Sequence, residues 1–176
     1  MSVEEFLAWE RRQELRYEFD GVQPVAMTGG TVAHTVIGTD LVRALDDRLT
    51  PPCRAFRGDL KIMMANRVRY PDALVTCAPV PDDSDTVAEP LIVFEVLSTS
   101  TDLIDCNVKA AEYQAALHIR RYVMLAQTGP EVTVQFRVGG NWEEEHLSGI
   151  DAVLRLPEIG VAIPLAEIYR RVGGSG

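Results

Sequence analysis

LIVFEVLSTST, residues 91–101, is a short apolar run interrupted by one carboxylate, Glu95. Continuous apolar runs of this length, bounded by polar turns, mark a central strand covered on both faces. A buried carboxylate costs several kcal/mol or more unless a partner compensates it. Glu95 therefore belongs either to an accident of an edge strand or to a site where something cationic meets it.

The flanking sequence supplies that site. Upstream, VRYPDALVTC (68–77) reads as a strand, with Pro71 tolerable near its start. Alternation places Tyr70, Asp72, Leu74 and Thr76 on one of its faces, and Val93, Glu95 and Leu97 on one face of the later strand. If the two strands are neighbours, Asp72 and Glu95 converge. Two close carboxylates repel strongly in a low dielectric and are tolerable when they share a proton or bind a cation. Oxygen ligands of this kind suit Mg2+, Mn2+ or Ca2+ rather than Zn2+. Downstream, DLIDCNVKAAEYQAAL (102–117) has helical periodicity and carries Lys109. Lys109 either pairs along the helix surface with Asp105, or reaches back to the carboxylates.

Other segments fill in the frame. Ser2-Val3-Glu4-Glu5 has the form of a capping box and predicts a helix over 3–15. YEFDGVQPVAM (17–27) predicts two short strands turning at Asp20-Gly21. Thr31 caps a second helix with the stripe Ile37, Leu41, Leu45, which ends at Thr50-Pro51-Pro52. CRAFRGDLKIMM (53–64) contains one strand, PVPDDSDTVAEP (79–90) is a polar loop, and RRYVMLAQ (120–127) is a second central strand. EVTVQFRVGGNWEEEHL (131–147) is a hairpin turning at Gly139-Gly140, and LRLPEIGVAIPLAEIYRRV (154–172) adds a short strand and a short helix. GGSG is a frayed tail. This order suggests a mixed α/β sheet sandwiched by helices.

Composition sets the bounds. The chain has 176 residues, is 47% hydrophobic and 24% charged, and so supports one domain with a real core. No apolar stretch reaches the length of a membrane span, and MSVEEFLAWERR lacks the apolar region of a signal peptide. Cys53, Cys77 and Cys106 are too scattered for a disulfide frame or zinc knuckle, so they read as core fillers in a reduced, cytoplasmic protein. The net charge of −9 argues against a nonspecific nucleic-acid coat, but not against an acidic site that holds a metal for phosphodiester chemistry.

In sequence order, YEFDG, GGTVAH, GDLKI, YPDALVTC, FEVLSTST, Lys109 with Tyr113, and LRLPEIGVAIPLAEIY resemble the PD-(D/E)XK nuclease superfamily. The closer resemblance is to a bacterial branch described as putative restriction endonucleases, long a domain of unknown function. It covers nearly the whole chain. It implies a restriction-endonuclease-like mixed sheet core flanked by helices with extra β-hairpins. One domain would span 1–170, followed by a flexible tail at 171–176. It also implies that Asp72 and Glu95, with the backbone carbonyl of Val96, hold Mg2+ or Mn2+ for hydrolysis of DNA. A lysine two residues after the glutamate is expected. Leu97 stands there instead, and the branch places the lysine on the next helix, at Lys109. Thr99, where relatives carry proline, affects only the turn.

Glu18 becomes a third metal-binding carboxylate by the same resemblance, whereas its position alone reads as an exposed strand residue. His34, in register with Ile37 and Leu41, reads as a satisfied, half-buried histidine or as a site-lining one. Asp59 and Lys61 share strand parity in GDLKI and either line the site or sit on a solvated strand end, which leaves Lys61 as a rival to Lys109. Tyr113 lines the site. Cutting both strands of a duplex calls for a homodimer. The alternatives are a non-catalytic nucleic-acid or protein binding module on the same fold, and a purely structural pairing of Glu95 with Arg69 or Arg120. DNA and RNA are not distinguished.

Overall fold

Ser2 starts the chain's first helix, α1 (Val3–Glu10), through a complete capping box: its Oγ accepts from Glu5 N at 3.1 Å, and its own N donates to Glu5 Oε2 at 2.7 Å. The helix stops at Glu10, short of the expected residue 15. Residues 11–14 offer no apolar side chain to extend the buried stripe, and the Gln13 side chain takes the Trp9 carbonyl at 3.1 Å. The computed structural model describes residues 1–27, 29–98 and 103–172, with the backbone alone at 103–106. The turn at Thr99, the side chains of Asp105 and Cys106, and the GGSG tail lie outside the described residues.

The expected first hairpin is β1 (Tyr17–Phe19) and β2 (Pro24–Ala26), with Glu18 opposite Val25. Gly21 has φ +92, and a Cβ there would come within 2.8 Å of Asn66 Nδ2, so both conformation and close approach call for glycine. Thr31 caps α2 (Val32–Asp46) by accepting from His34 N.

Where the sequence suggests three strands after α2, there are five. CRAFRGDLKIMM divides into β3 (Arg54–Arg57) and β4 (Ile62–Met64), which lie in different sheets. VRYPDALVTC divides into β5 (Arg67–Arg69) and β6 (Ala73–Thr76). Pro71 has no N–H to give a ladder, so the chain leaves one sheet at Tyr70 and enters the next after Asp72. Then follow β7 (Ile92–Leu97), α3 (Leu103–Ala115), β8 (Arg121–Ala126), β9 (Glu131–Val138), β10 (Asn141–Ser148), β11 (Val153–Leu156), β12 (Val161–Pro164) and α4 (Leu165–Tyr169).

The main sheet has the order β10-β9-β8-β7-β6-β3. Only β7 and β8 pair in parallel, joined by α3 as the crossover. A smaller sheet runs β2-β1-β5-β4. Ile92, Phe94 and Val96 of β7 pack in one core with Ile37, Leu41 and Leu45 of α2 and Ile168 of α4. Val93, on the opposite face, packs in a second core with Tyr113 of α3 and with Tyr122 and Met124 of β8. β7 is therefore buried on both faces, and Glu95 is the charged residue in its wall.

The cysteines are corrected. Cys53 and Cys77, flanking the paired ends of β3 and β6, form a disulfide. They are partly exposed rather than core fillers, which removes the basis for reading a reducing compartment from cysteine usage. No helix among the described residues is long and apolar enough to cross a membrane.

Candidate active site

The β6–β7 register, Ala73 against Phe94, sets Asp72 opposite Glu95 one residue beyond the last ladder pair. Because Asp72 precedes the strand, its side chain rather than its backbone meets β7: Oδ2 accepts from Val96 N at 2.7 Å. The same oxygen lies 3.1 Å from His34 Nε2. That hydrogen bond holds the imidazole above its ordinary pKa, against the opposing effect of burial. His34 stands in the first turn of α2, and Gly30 leaves room for it; a Cβ there would lie 2.8 Å from His34 Nδ1. Thr31, besides capping the helix, donates to the buried Gln127 at the end of β8, which ties the start of α2 to the sheet.

Glu95 is only 8% exposed. Its Oε1 accepts from Tyr113 Oη at 2.7 Å, and Lys109 Nζ lies 3.7 Å away. Burial pushes the carboxyl up to about 7. Lys109 pulls against that rise, while Asp72 and Glu18 reinforce it. Lys109 also lies 3.4 Å from Glu18 Oε2, so one ammonium from α3 bridges carboxylates of two sheets. Lys109 thus reaches back to the carboxylates, as the second of its two readings has it, while the Asp105 side chain of the first lies outside the described residues.

Glu18 is not the exposed strand residue its position suggested. It is buried, with Oε1 accepting from Tyr70 N at 3.1 Å and Oε2 from Arg69 Nη1 at 3.2 Å. Arg69 in turn forks onto Glu112, Nε to Oε2 at 2.8 Å and Nη2 to Oε1 at 2.9 Å, one turn beyond Lys109 on α3. The structural pairing of Glu95 with an arginine is thereby corrected: Arg69 is spent on Glu18 and Glu112, Arg120 is exposed, and the cation at Glu95 is Lys109.

Glu18, His34, Tyr70, Asp72, Glu95, Val96 and Lys109 border one cavity of about 300 Å³. Tyr113 supports it from behind through Glu95. Asp59 and Lys61 do not border it. GDLKI turns at Gly58-Asp59 and enters β4 only at Ile62: Asp59 is exposed and pairs with Arg16, while Lys61 bridges to Thr86 and is buried between Glu10 (3.2 Å) and Asp85 (3.0 Å). Their shared parity does not carry over, because Asp59 lies in the turn before the strand. Tyr70 borders the cavity although sequence reasoning did not place it there, and its adjacency to Asp72 in RYPD was the available signal.

A divalent cation fits the donor chemistry. Among the described residues, no three His, Cys, Asp or Glu side chains form a ready cage. Mg2+ does not require one, since it commonly takes one or two carboxylates and fills its remaining positions with water and phosphate oxygens. Asp72 Oδ2 accepts from Val96 N and lies against His34, Glu95 Oε1 accepts from Tyr113, and each carboxylate carries a second oxygen that a cation could use. Both oxygens of Glu18 accept hydrogen bonds and its Oε2 lies 3.4 Å from Lys109 Nζ, so Glu18 anchors that ammonium and also borders the cavity as a third carboxylate.

Comparison with known proteins agrees with this architecture. The family model Uma2, described as "Putative restriction endonuclease", matches residues 3–166. An uncharacterized protein of Synechocystis sp. is 33% identical over 175 residues, covering 97% of this chain and 92% of its own. A crystal structure from Anabaena variabilis, described as a putative nuclease belonging to DUF820, superposes with a TM-score of 0.78 at 16% identity, covering 97% of this chain and 98% of that one. The expected restriction-endonuclease-like fold, a mixed sheet flanked by helices, is borne out.

Proposed function

The chain belongs to the Uma2 family, described as putative restriction endonucleases, and from that membership and the cleft we propose that it is a metal-dependent endonuclease hydrolysing phosphodiester bonds in DNA. The observation that carries the reading is the meeting of Asp72, Glu95 and Lys109, from the lead-in to β6, from β7 and from the crossover helix, in one cavity. Asp72 and Glu95, with the Val96 carbonyl, hold Mg2+ or Mn2+, which when bound supplies Lewis acidity toward the phosphoryl group and its attacking water. Lys109 presents the positive charge that meets negative charge developing on the phosphoryl oxygens. Glu18 and Glu95 hold that ammonium in place, and Arg69 holds Glu18. Tyr113 fixes the Glu95 rotamer through Oε1. His34 fixes Asp72 in the same way.

The test is cleavage of duplex DNA with Mg2+ or Mn2+ by wild type, Asp72→Asn, Glu95→Gln and Lys109→Met, each checked for an intact fold. Cleavage by wild type and its loss in all three is expected. Cleavage retained in any variant removes that residue from the mechanism. The net charge of −9 favours a second reading, a binding module that keeps the fold without turnover. Metal-independent partner binding with no hydrolysis by wild type would select it. Scission of both strands needs two such sites, which a homodimer supplies, and sedimentation of the intact protein tests that arrangement.

A further inference from the structure

Beside the proposed catalytic cleft lies a second cavity, of about 320 Å³, lined by His34, Gly38, Arg57, Gly58, Asp59 and Asp72. The two cavities share His34 and Asp72 as a common wall, so they lie side by side on the aspartate. Arg57 ends β3 opposite Ala73, and the next residue, Gly58, donates its N–H to the Asp72 carbonyl at 2.9 Å. The backbone thus seats a cation one step from the catalytic aspartate.

Arg57 is held differently from the other cations of this region. Lys61, Arg69 and Lys109 each lie within 4 Å of carboxylates, and Arg16 pairs with Asp59. Arg57 instead donates to neutral acceptors, Nη1 to Thr39 Oγ1 at 2.7 Å and Nη2 to the Thr35 carbonyl at 3.4 Å. Among the described residues, no carboxylate forms an ion pair with it. These two bonds orient an exposed guanidinium without cancelling its charge. A planar fork held this way matches a phosphate. A chain of net charge −9 that accepts a polyanion needs such a cation where the strand passes its acidic centre.

We infer that this second cavity is a subsite for a non-scissile phosphate of a polynucleotide strand, with Arg57 as its ligand. The inference rests on the phosphodiesterase reading above and extends it from a minimal diester to a strand.

The experiment is fluorescence-anisotropy binding of a short synthetic DNA duplex, with Ca2+ present, across a salt series. It uses wild type, Arg57→Ala, Arg57→Lys and Arg155→Ala. Arg155 is an exposed arginine that borders neither cavity and controls for net charge alone. Loss of one charge-assisted phosphate contact predicts about tenfold weaker binding for Arg57→Ala. It also predicts a log–log salt slope shallower by about 0.9. Arg57→Lys should recover most of the slope, and Arg155→Ala should match wild type. Equal slopes in wild type and Arg57→Ala, or equal weakening in Arg155→Ala, overturn the subsite. If wild type still cleaves DNA in that case, the nuclease reading stands without it. Neither binding nor cleavage by wild type removes both.

Discussion

Replacing Glu95 with Gln should stabilise the metal-free protein at high pH, because the wild-type side chain is a buried acid without full compensation. Folding raises this carboxyl from its ordinary 4.5 to about 7, with burial the largest cause and the attraction of Lys109 already included. The folded protein therefore binds the Glu95 proton more tightly than the unfolded chain does. Below pH 4.5 both states are protonated and Glu95 carries no penalty. As pH rises toward 7 the unfolded chain releases its proton first, and stability falls until the folded carboxyl has titrated as well. Above that window the loss reaches about 3 kcal/mol. Gln keeps an acceptor for Tyr113 and carries no charge. In EDTA at pH 8 the variant should be more stable by about 3 kcal/mol, or about 10 °C in Tm for a domain of this size. The difference should shrink to within about 0.5 kcal/mol at pH 4.5. Urea unfolding at the two pH values measures both numbers, and saturating Mg2+ should close the gap by stabilising wild type alone. A variant no more stable than wild type at pH 8, or equally more stable at both pH values, would refute the reasoning.

Lys109→Met removes a cation that lowers the Glu95 pKa, so the pH midpoint of Mn2+ binding should move upward while hydrolysis is lost; an unchanged midpoint would separate Lys109 from the carboxylates. Arg69→Ala takes the shared guanidinium from Glu18 and Glu112, which keep Lys109 and Arg67 beside them, and should cost about 2 kcal/mol in urea unfolding. Lys61→Met leaves buried Glu10 with the Tyr70 hydroxyl but without its cation, and should destabilise by about 3 kcal/mol. Its hydrolysis per folded molecule should stay at the wild-type rate, and a specific loss of turnover would return Lys61 to the site.

The central strand and its odd residue were legible because burial on both faces leaves a local mark: six apolar or aromatic neighbours around one glutamate. The convergence of Asp72 with Glu95 followed from the period of two and one assumed pairing, which the β6–β7 register supplies. Lys109 was less legible. Spacing alone suited a surface pair with Asp105 equally well, and the family resemblance carried the choice. What stayed hidden depends on partners far along the chain. Lys61 and Glu10 are 51 residues apart, and Arg171 and the fully buried Asp40 are 131 apart, so no local pattern distinguishes these charges from solvated ones. The same holds for Cys53 and Cys77, which meet only once β3 and β6 pair. The split of RYPDALVT into two strands was signalled by Pro71 but read as a strand start, because an X-Pro step marks a break without saying which sheet the chain enters next.

The most direct test of the claim that Glu95 interrupts its strand to hold a cation is calorimetric titration of Mn2+ into wild type and Glu95→Gln at pH 8. Saturable binding by wild type that disappears in the variant is the expected result. Equal binding by both proteins, or none by wild type with or without a bound DNA duplex, would contradict it.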